Sequence, residues 1–354
     1  MEAKNFQAVE KKVKEQVKTK KAPEDGVFPE NFYVTTNRET HVNYRGRWLK
    51  VKEIEMDCAV AIKDKKAYAV TMQEVEQGDK IIVGSQGIRI NDLSSTSSHS
   101  GREQEFCFMN SEISAEKSKG EKISDIAKEL NNLKSSGGNI TLVGGPAIVH
   151  TGAGHFLARL IKNGYINNLL AGNALAVHDI EAALFGTSLD RPVQNTNSEK
   201  NQGNSLNGKN NQELRGMHMR AINKIRATGS IKKAVETDII QEGIMYEAIK
   251  NDVNFVLAGS IRDDGPLPET ITDTIVAQKE MKKIAQKSDL VLMLATMLHS
   301  IATGNLLPAR VKSVCVDINT DTVTKLADRG SSQAVGLVTD VELFLQSLTA
   351  KLEI

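Results

Sequence analysis

Arg262, Asp263 and Asp264 stand in a row just beyond the apolar run Phe255-Val256-Leu257-Ala258, after Gly259-Ser260 and before Gly265-Pro266. A guanidinium can clamp a carboxylate through two parallel hydrogen bonds, and a neighbouring carboxylate can hold an amine or take up and return its proton. Together they suit a small amino-acid substrate, with Arg262 on its carboxylate and Asp263 or Asp264 on its amine; surface turns of the same composition also occur without any ligand. His178, with Asp179 beside it, and His299 follow two other apolar runs, and an imidazole carries protons near neutrality as readily as it packs structurally in a helix. Asp317 follows Val314-Cys315-Val316, and Asp340 follows the run from Val335 to Val338. A carboxylate at the end of a buried strand can accept both hydroxyls of a ribose. Next to Asn319 and Thr320, Asp317 can equally be a turn residue, and Asp340 is open to the same two readings because a helix dipole favours an acid in its first turn.

The elements that must position these groups are clearest between residues 140 and 190. Ile140-Thr141-Leu142-Val143 is a β-branched apolar run stopped by Gly144-Gly145-Pro146, and Phe156, Leu157, Leu160 and Ile161 then recur at helical spacing. Asn168-Leu169-Leu170-Ala171 is stopped by Gly172-Asn173, and a second helix follows with Leu175, Ile180, Ala183 and Leu184 on its apolar face and Gly186 at its end. Four further runs stop in the same way, at Gly259-Ser260, Ala295-Thr296, Asp317-Ile318-Asn319 and Thr339-Asp340. Repeated strand-turn-helix units predict a parallel sheet covered by helices, with ligands beyond the carboxyl ends of the strands. Gly144-Gly145-Pro146 either leads into a helix whose free N–H groups cradle a phosphate or makes only a tight turn. The GxGxxG fingerprint is absent, since Gly152 and Gly154 fall too late and lack the third glycine.

Upstream the pattern changes to short strands. Turns at Tyr44-Arg45-Gly46-Arg47, Asp64-Lys65-Lys66 and Gln77-Gly78-Asp79 separate apolar runs and predict a small, largely antiparallel β domain over residues 31–115. Residues 92–102 are Ser-rich and expected to loop, and a helix is expected over 123–133. Phe6, Val9, Val13 and Val17 form one narrow stripe on a very basic helical arm within residues 1–30, suited to docking or to a membrane surface. Residues 191–213 are rich in Asn, Gln, Ser and Gly without apolar periodicity, which predicts a solvated insertion within an α/β domain spanning 116–354.

Composition narrows the partners. With 354 residues the chain is long for one core, and a hydrophobic content of 40% is ample for burial. A formal net charge of +1 gives no electrostatic case for nucleic acid or an anionic membrane, so a small molecule is the expected partner. Cys58, Cys107 and Cys315 are isolated and fit neither a disulfide framework nor a zinc site, so a reducing cytoplasm is expected and no metal is. No apolar run reaches the roughly 18 residues of a membrane span, and the Lys-rich start lacks the apolar segment of a signal peptide.

The runs APEDGVFPENFYVTTN, GGPAIVHTGA, LLAGNALAVHDIEAALFGTSL, LAGSIRDDGPLP, LMLATMLHSIATGNLLP and VCVDINTDTVTKLADRGS together resemble the archaeal-type ornithine cyclodeaminases. The same module forms the carboxyl-terminal part of arginine dihydrolase/ornithine cyclodeaminase enzymes and has been called the LOR/SDH bifunctional conserved region. The resemblance runs from about Pro23 to Leu345, with an Asn-rich insertion longer than usual and no counterpart to the amino-terminal domain of many relatives. It implies a deoxyhypusine-synthase-like NAD-binding domain, a Rossmann variant without the glycine fingerprint, preceded by the smaller β-rich domain. NAD would lie against Gly144, Gly145, Asn173, Ala174, Asp263, Thr296, Met297, Leu298, His299, Asp317, Asn319, Asp340 and Val341. The activity implied is conversion of L-ornithine to L-proline and ammonia, with a hydride taken up by NAD and then returned, so that the cofactor is not consumed. Asp263, Asp264 and His178 are the candidate catalytic groups and Arg262 the candidate substrate ligand, in a homo-oligomer. An NAD-dependent amino-acid dehydrogenase of the saccharopine type and a non-catalytic nucleotide-sensing module are the alternatives.

Overall fold

Two of the upstream turns reverse the chain through left-handed backbone. Arg45 and Gly46 have φ of 53° and 78°, and Asp64 and Lys65 have φ of 49° and 61°, the pairing of positive angles that suits a two-residue hairpin. In the computed structural model, which describes residues 15–91, 119–189, 191–193, 216–263, 265–329 and 334–354, these hairpins belong to a unit made of residues 1–108 and 305–310. Its strands are β1 (Lys18–Lys21), β2 (Thr40–Tyr44), β3 (Arg47–Lys52), β4 (Ala59–Lys63), β5 (Lys66–Val70), β6 (Lys80–Val83) and β7 (Ile88–Ile90). They form one sheet in the order β1-β6-β4-β5-β3-β2-β7. The pairs are antiparallel except β3 with β5, which is parallel because the β4–β5 hairpin lays β5 between β4 and β3. Along β4, Val60 and Ile62 enter one small core and Ala59 and Ala61 another, so both faces of this central strand are covered.

The basic arm departs from expectation where it is described. Val17 is buried at 9% exposure, and Lys18–Lys21 pair with β6 as a strand rather than continuing a helix. One apolar residue followed by exposed lysines suits an edge strand, whose charged side chains discourage pairing with another chain. Residues 1–14, the Ser-rich loop at 92–102 and the insertion from residue 194 onward lie outside the described residues. Of the insertion's start, Arg191–Pro192 pair with Thr187–Ser188 as a short hairpin.

The second unit, residues 109–304 and 311–354, opens with helix α1 (Lys119–Ser136) and contains β8 (Ile140–Gly144), α2 (Ala147–His150), α3 (Gly154–Lys162), β9 (Asn168–Gly172) and α4 (Asn173–Phe185). The hairpin β10 (Thr187–Ser188) and β11 (Arg191–Pro192) is followed by α5 (Met217–Thr228), α6 (Ile231–Glu236), α7 (Ile244–Lys250), β12 (Asn254–Ala258) and the edge strand β13 (Thr270–Ile271). Then come α8 (Thr274–Ala285), β14 (Leu290–Leu294), α9 (Met297–Leu306), β15 (Lys312–Asp317), α10 (Thr320–Arg329), β16 (Ala334–Val338) and α11 (Val341–Lys351).

Seven of these strands form a wholly parallel sheet in the order β13-β12-β9-β8-β14-β15-β16. Every residue of β8 and of β14 is buried, the mark of central strands covered on both faces. Their side chains, Leu142 and Leu292 among them, join one core with Leu157 and Leu160 of α3, Ile180 of α4 and Phe344 of α11. The chain steps outward from β8 through β9 to β12, then returns to the far side of β8 for β14, β15 and β16. The direction of winding therefore reverses between β8 and β14, and a crevice opens where two connections leave in opposite directions. Among the described residues no helix is long and apolar enough to cross a membrane.

Candidate active site

At the reversal, the ends of β8 and β14 approach so closely that one position has no room for a side chain. A Cβ on Gly145 would lie 1.9 Å from the Ala295 carbonyl oxygen, and one on Gly144 would meet Leu175 at 2.8 Å. Gly145 also donates its N–H to Leu294 O at 3.0 Å. Close packing thus demands a glycine at 145 whether or not a ligand lies against the pair. Ala295 has φ of 51°, a left-handed backbone that costs a non-glycine residue of the order of 1 kcal/mol or more and persists only where its surroundings enforce it.

Across the reversal, the ends of β9, β12 and β14 converge on His299. A Cβ on Gly172, at the end of β9, would stand 2.9 Å from its Cε1. Thr296, just past β14, brings Oγ1 to 3.4 Å from its Nδ1. Asp263, past β12, is near enough for its charge to favour the protonated ring, but burial is the larger effect and holds His299 below the usual histidine range. Asp263 is itself anchored, its Oδ2 accepting from Ser260 N at 2.8 Å. Arg262 and Ile261 beside it are exposed, whereas Asp264 lies outside the described residues.

Asn173 is what holds this loop. Buried at 3% exposure, its Oδ1 accepts from Leu267 N at 3.0 Å and from Thr270 Oγ1 at 2.9 Å, and its Nδ2 donates to Gly265 O at 3.4 Å. The side chain is thereby committed to tethering residues 265–270, and half-buried Ala174 is the next residue toward solvent.

At β15 and β16, polar strand-end residues mostly bond to their own turns. Asp317 Oδ1 accepts from Asn319 N at 2.8 Å, and Asn319 Oδ1 accepts from Asp321 N in the first turn of α10. Asp340 caps α11 through Glu342 N at 2.8 Å and Leu343 N at 3.3 Å, and Val341 is buried in the core. Asp317 and Asn319 thus bond as turn residues do, and Asp340 sits as the cap of α11. Asp317 keeps Oδ2 without a hydrogen bond among the described residues.

Several residues at this edge carry no polar signal. Ile261, Met297, Leu298, Ile318 and Leu343 all follow strand ends and are all exposed, Ile318 and Leu298 at 74% each. Apolar side chains gathered at one edge and left in water mark a surface that meets a ligand or partner. The sequence signal available for Ile318 was an aliphatic residue placed between Asp and Asn, where a turn calls for a polar one.

His178 has different neighbours. It is buried in α4, its Nδ1 2.8 Å from Glu181 Oε2 and its ring edge-on to that of His150 in α2 at 4.6 Å. Glu181 is fully buried and accepts from Thr187 Oγ1 at 3.0 Å. His150 keeps an exposed edge, yet partial burial of its ring and the adjacent His178 push it down to about 4. Asp179 points elsewhere, accepting from Ile244 N and Met245 N at the start of α7 at 2.8 Å each. Burial pushes its carboxyl up to about 7, with Glu242 adding to the effect and the two N–H donors opposing it.

Two family profiles together match most of the chain: residues 39–123 match the arginine dihydrolase ArgZ-like C-terminal first region, and residues 124–348 its C-terminal Rossmann fold. An ornithine cyclodeaminase of Archaeoglobus fulgidus is 49% identical over 339 residues, covering 96% of this chain and 79% of that one. The bifunctional arginine dihydrolase/ornithine cyclodeaminase AgrE of a Nostoc species is 44% identical over 335 residues, covering 93% of this chain and 46% of that protein. Among solved structures, a conserved LOR/SDH protein of Methanococcus maripaludis S2 superposes with a TM-score of 0.83 at 43% identity, covering 96% of this chain and 97% of that one. AgrE in ternary complex with ornithine and NAD+ superposes with a TM-score of 0.58 at 40% identity, over 97% of this chain and 46% of AgrE.

Proposed function

The chain belongs to the arginine dihydrolase ArgZ-like C-terminal family, and from that premise we propose that it is an NAD-dependent ornithine cyclodeaminase, converting L-ornithine to L-proline and ammonia. The observation that carries the proposal is the gathering of Asp263, His299 and Asp317 along the carboxyl edge of a parallel sheet, around the point where its winding reverses. Dinucleotides bind in such a crevice.

The residues fit that cofactor without a glycine fingerprint. Asp317 offers a carboxylate oxygen unengaged among the described residues at the end of β15, the group a ribose hydroxyl needs, and exposed Ile318 next to it offers an apolar face for a base. Gly144 and Gly145 let backbone come close at the crossing, and Thr296 to His299 lead out of β14 on its other side. NAD, when bound, supplies an acceptor that takes a hydride and gives it back, so the net reaction is redox-neutral.

The remaining work falls to the chain. Exposed Arg262 holds the substrate carboxylate, and Asp263, tied down by Ser260, sets negative charge beside the amine. Asn173 keeps their loop against β9, and ornithine bound there must fold so that its δ-amine reaches the α-carbon. Ring closure from such a pose is effectively unimolecular, an advantage of up to several kcal/mol. Asp264 and His178 are the further candidates for proton transfer.

Incubation with L-ornithine and NAD tests the proposal: proline and ammonia should form in equal amounts with no net gain of NADH absorbance. NADH accumulating in step with product would identify a dehydrogenase instead. NAD binding without turnover of ornithine would identify a nucleotide sensor.

A further inference from the structure

We propose that the cavity between α3, α4 and α7 is a second binding site, one that takes a free basic amino acid, with the carboxylate on Arg159 and Lys162 and the two cationic groups on Asp179, Glu242 and Glu247. It shares no residue with the strand-end site, so its occupancy can be read whether or not ornithine is turned over.

Small residues make the space. α7 packs against both α3 and α4, and Gly154, Ala158, Ala182 and Ala183 leave a cavity of about 450 Å³ beside these helices, with Val149 and Val193 adding to its apolar lining. Small-molecule sites span roughly 300–1,000 Å³ and set a few polar groups in a mainly apolar wall.

The polar groups are sorted by element. α3 supplies Arg159 and Lys162, three residues apart and hence on one helix face, with His155 a turn earlier. The turn before α7 supplies Glu242, and α7 supplies Glu247. The side chains of Arg159, Lys162 and Glu242 have no hydrogen-bond or ion-pair partner among the described residues. Glu247 accepts from Asn251 Nδ2 at 3.0 Å, and His155 Nδ1 lies 2.8 Å from Gly152 O. Cations and carboxylates therefore border one cavity without pairing off.

Asp179 is the buried member. It is 4% exposed and lines the same cavity, and its two oxygens accept one N–H each, from Ile244 and Met245, with a lone pair left on each for a further donor. Gly243, at φ of 107°, lets the turn close over it, for a Cβ there would stand 2.9 Å from Oδ2. Burial raises this carboxyl to about 7 against the two N–H donors, and Glu242 adds to the rise. The other charged groups bordering the cavity are those named on α3 and α7, while His178, next in α4, turns to Glu181. An ammonium beside Asp179 favours its ionised form, so a ligand that docks there near neutrality drives the carboxyl proton into solvent.

Charge then selects the guest. With Asp179 ionised, three carboxylates oppose the guanidinium and the ammonium of α3. A basic amino acid brings two cationic groups and one carboxylate and matches that excess, whereas a neutral amino acid leaves a carboxylate unmatched.

Calorimetry on the full chain without NAD tests the site, with L-lysine as the probe and L-norleucine, which keeps the stem and lacks the second amine, as its control. L-Lysine should bind about tenfold or more tightly than L-norleucine, and about tenfold or more weakly to Arg159→Gln and to Glu242→Gln than to the wild type. Both substituted side chains are exposed, so melting temperature and NAD affinity should stay at wild-type values. At pH 7 the heat of binding should differ between phosphate and Tris buffers, because a proton is released. Equal affinity for the two amino acids would overturn the proposal, as would L-lysine binding that survives both substitutions and so belongs elsewhere on the protein. Heats that are the same in both buffers would take the ammonium away from Asp179 and overturn it too. If the variants fail to fold, the wild-type comparison of probe with control and of one buffer with the other decides. A protein that shows this binding yet leaves ornithine and NAD unchanged would sink the cyclodeaminase reading alone.

Discussion

Two groups of strand ends at the carboxyl edge of the sheet are built from the same sequence pattern yet use it differently. At β9, β12 and β14, spanning the winding reversal, residues from three strand ends reach across to one another: Gly172 and Asp263 to His299, and Asn173 to the loop at 265–270. On the β15 and β16 side, Asn319 and Asp340 turn inward to cap their own helices, and Asp317 spends one oxygen on the next turn. Small or polar residues after an apolar run are therefore a signal of position and not of role. The role depends on whether the backbone N–H groups nearest the side chain are already satisfied.

Gly145→Ala should break the comparison altogether, because the added Cβ sits 1.9 Å from the Ala295 carbonyl oxygen and the two sides must separate to admit it. A loss of about 3 kcal/mol, with a melting temperature lower by several degrees, is expected from overpacking against backbone; a stable Ala variant would mean the crossing is looser than its geometry. Asp263→Asn tests the convergent side by removing charge while keeping the bond from Ser260 N, and steady-state kinetics should show turnover down about 10²-fold with the fold intact. Asp317→Ala tests the capped side: its free oxygen should be worth about 1.5 kcal/mol to a ribose hydroxyl, so NAD affinity by calorimetry should weaken about tenfold.

A pH titration of stability reads a third kind of carboxylate. The Asp179 carboxyl is raised from 3.8 to about 7 in the folded state, so folding favours its protonated form. Its contribution to stability should be greatest below about pH 4, decline between about 4 and 7, where the folded state keeps a proton that the unfolded chain has released, and level off above. Asp179→Asn should flatten that decline in denaturant titrations at several pH values; an unchanged slope would assign it to other groups. The smallest effect is expected from Asp340→Ala, about 1 kcal/mol of stability for a lost helix cap with NAD affinity close to wild type. Weakening as large as that of Asp317→Ala would move Asp340 from cap to cofactor ligand.

How far the sequence could be read follows from the same physics. The strands from β8 onward were legible because central parallel strands are apolar on both faces, and their ends were legible because small or polar residues follow. The edge strand β13 was not, since two residues carry no periodicity. The parallel pairing of β3 with β5 escaped notice because hairpin turns fix only adjacent strands. Lys18–Lys21 was read into a helix from a stripe of valines whose last member, Val17, is instead a core residue of a β sheet. In the candidate site, Arg262, Asp263 and Asp317 were visible through charge at strand ends. The tether at Asn173 was not, because its partners Leu267 and Thr270 lie far along the chain.

Gly172 carries a consequence for inheritance. Every one-base change in a glycine codon that yields another amino acid adds a Cβ, and here that atom would fall 2.9 Å from the His299 ring. No single mutational step at this position leaves the imidazole where it is. A lineage that replaces the glycine must also move or replace the histidine ring, so two codons 127 positions apart are constrained by one another.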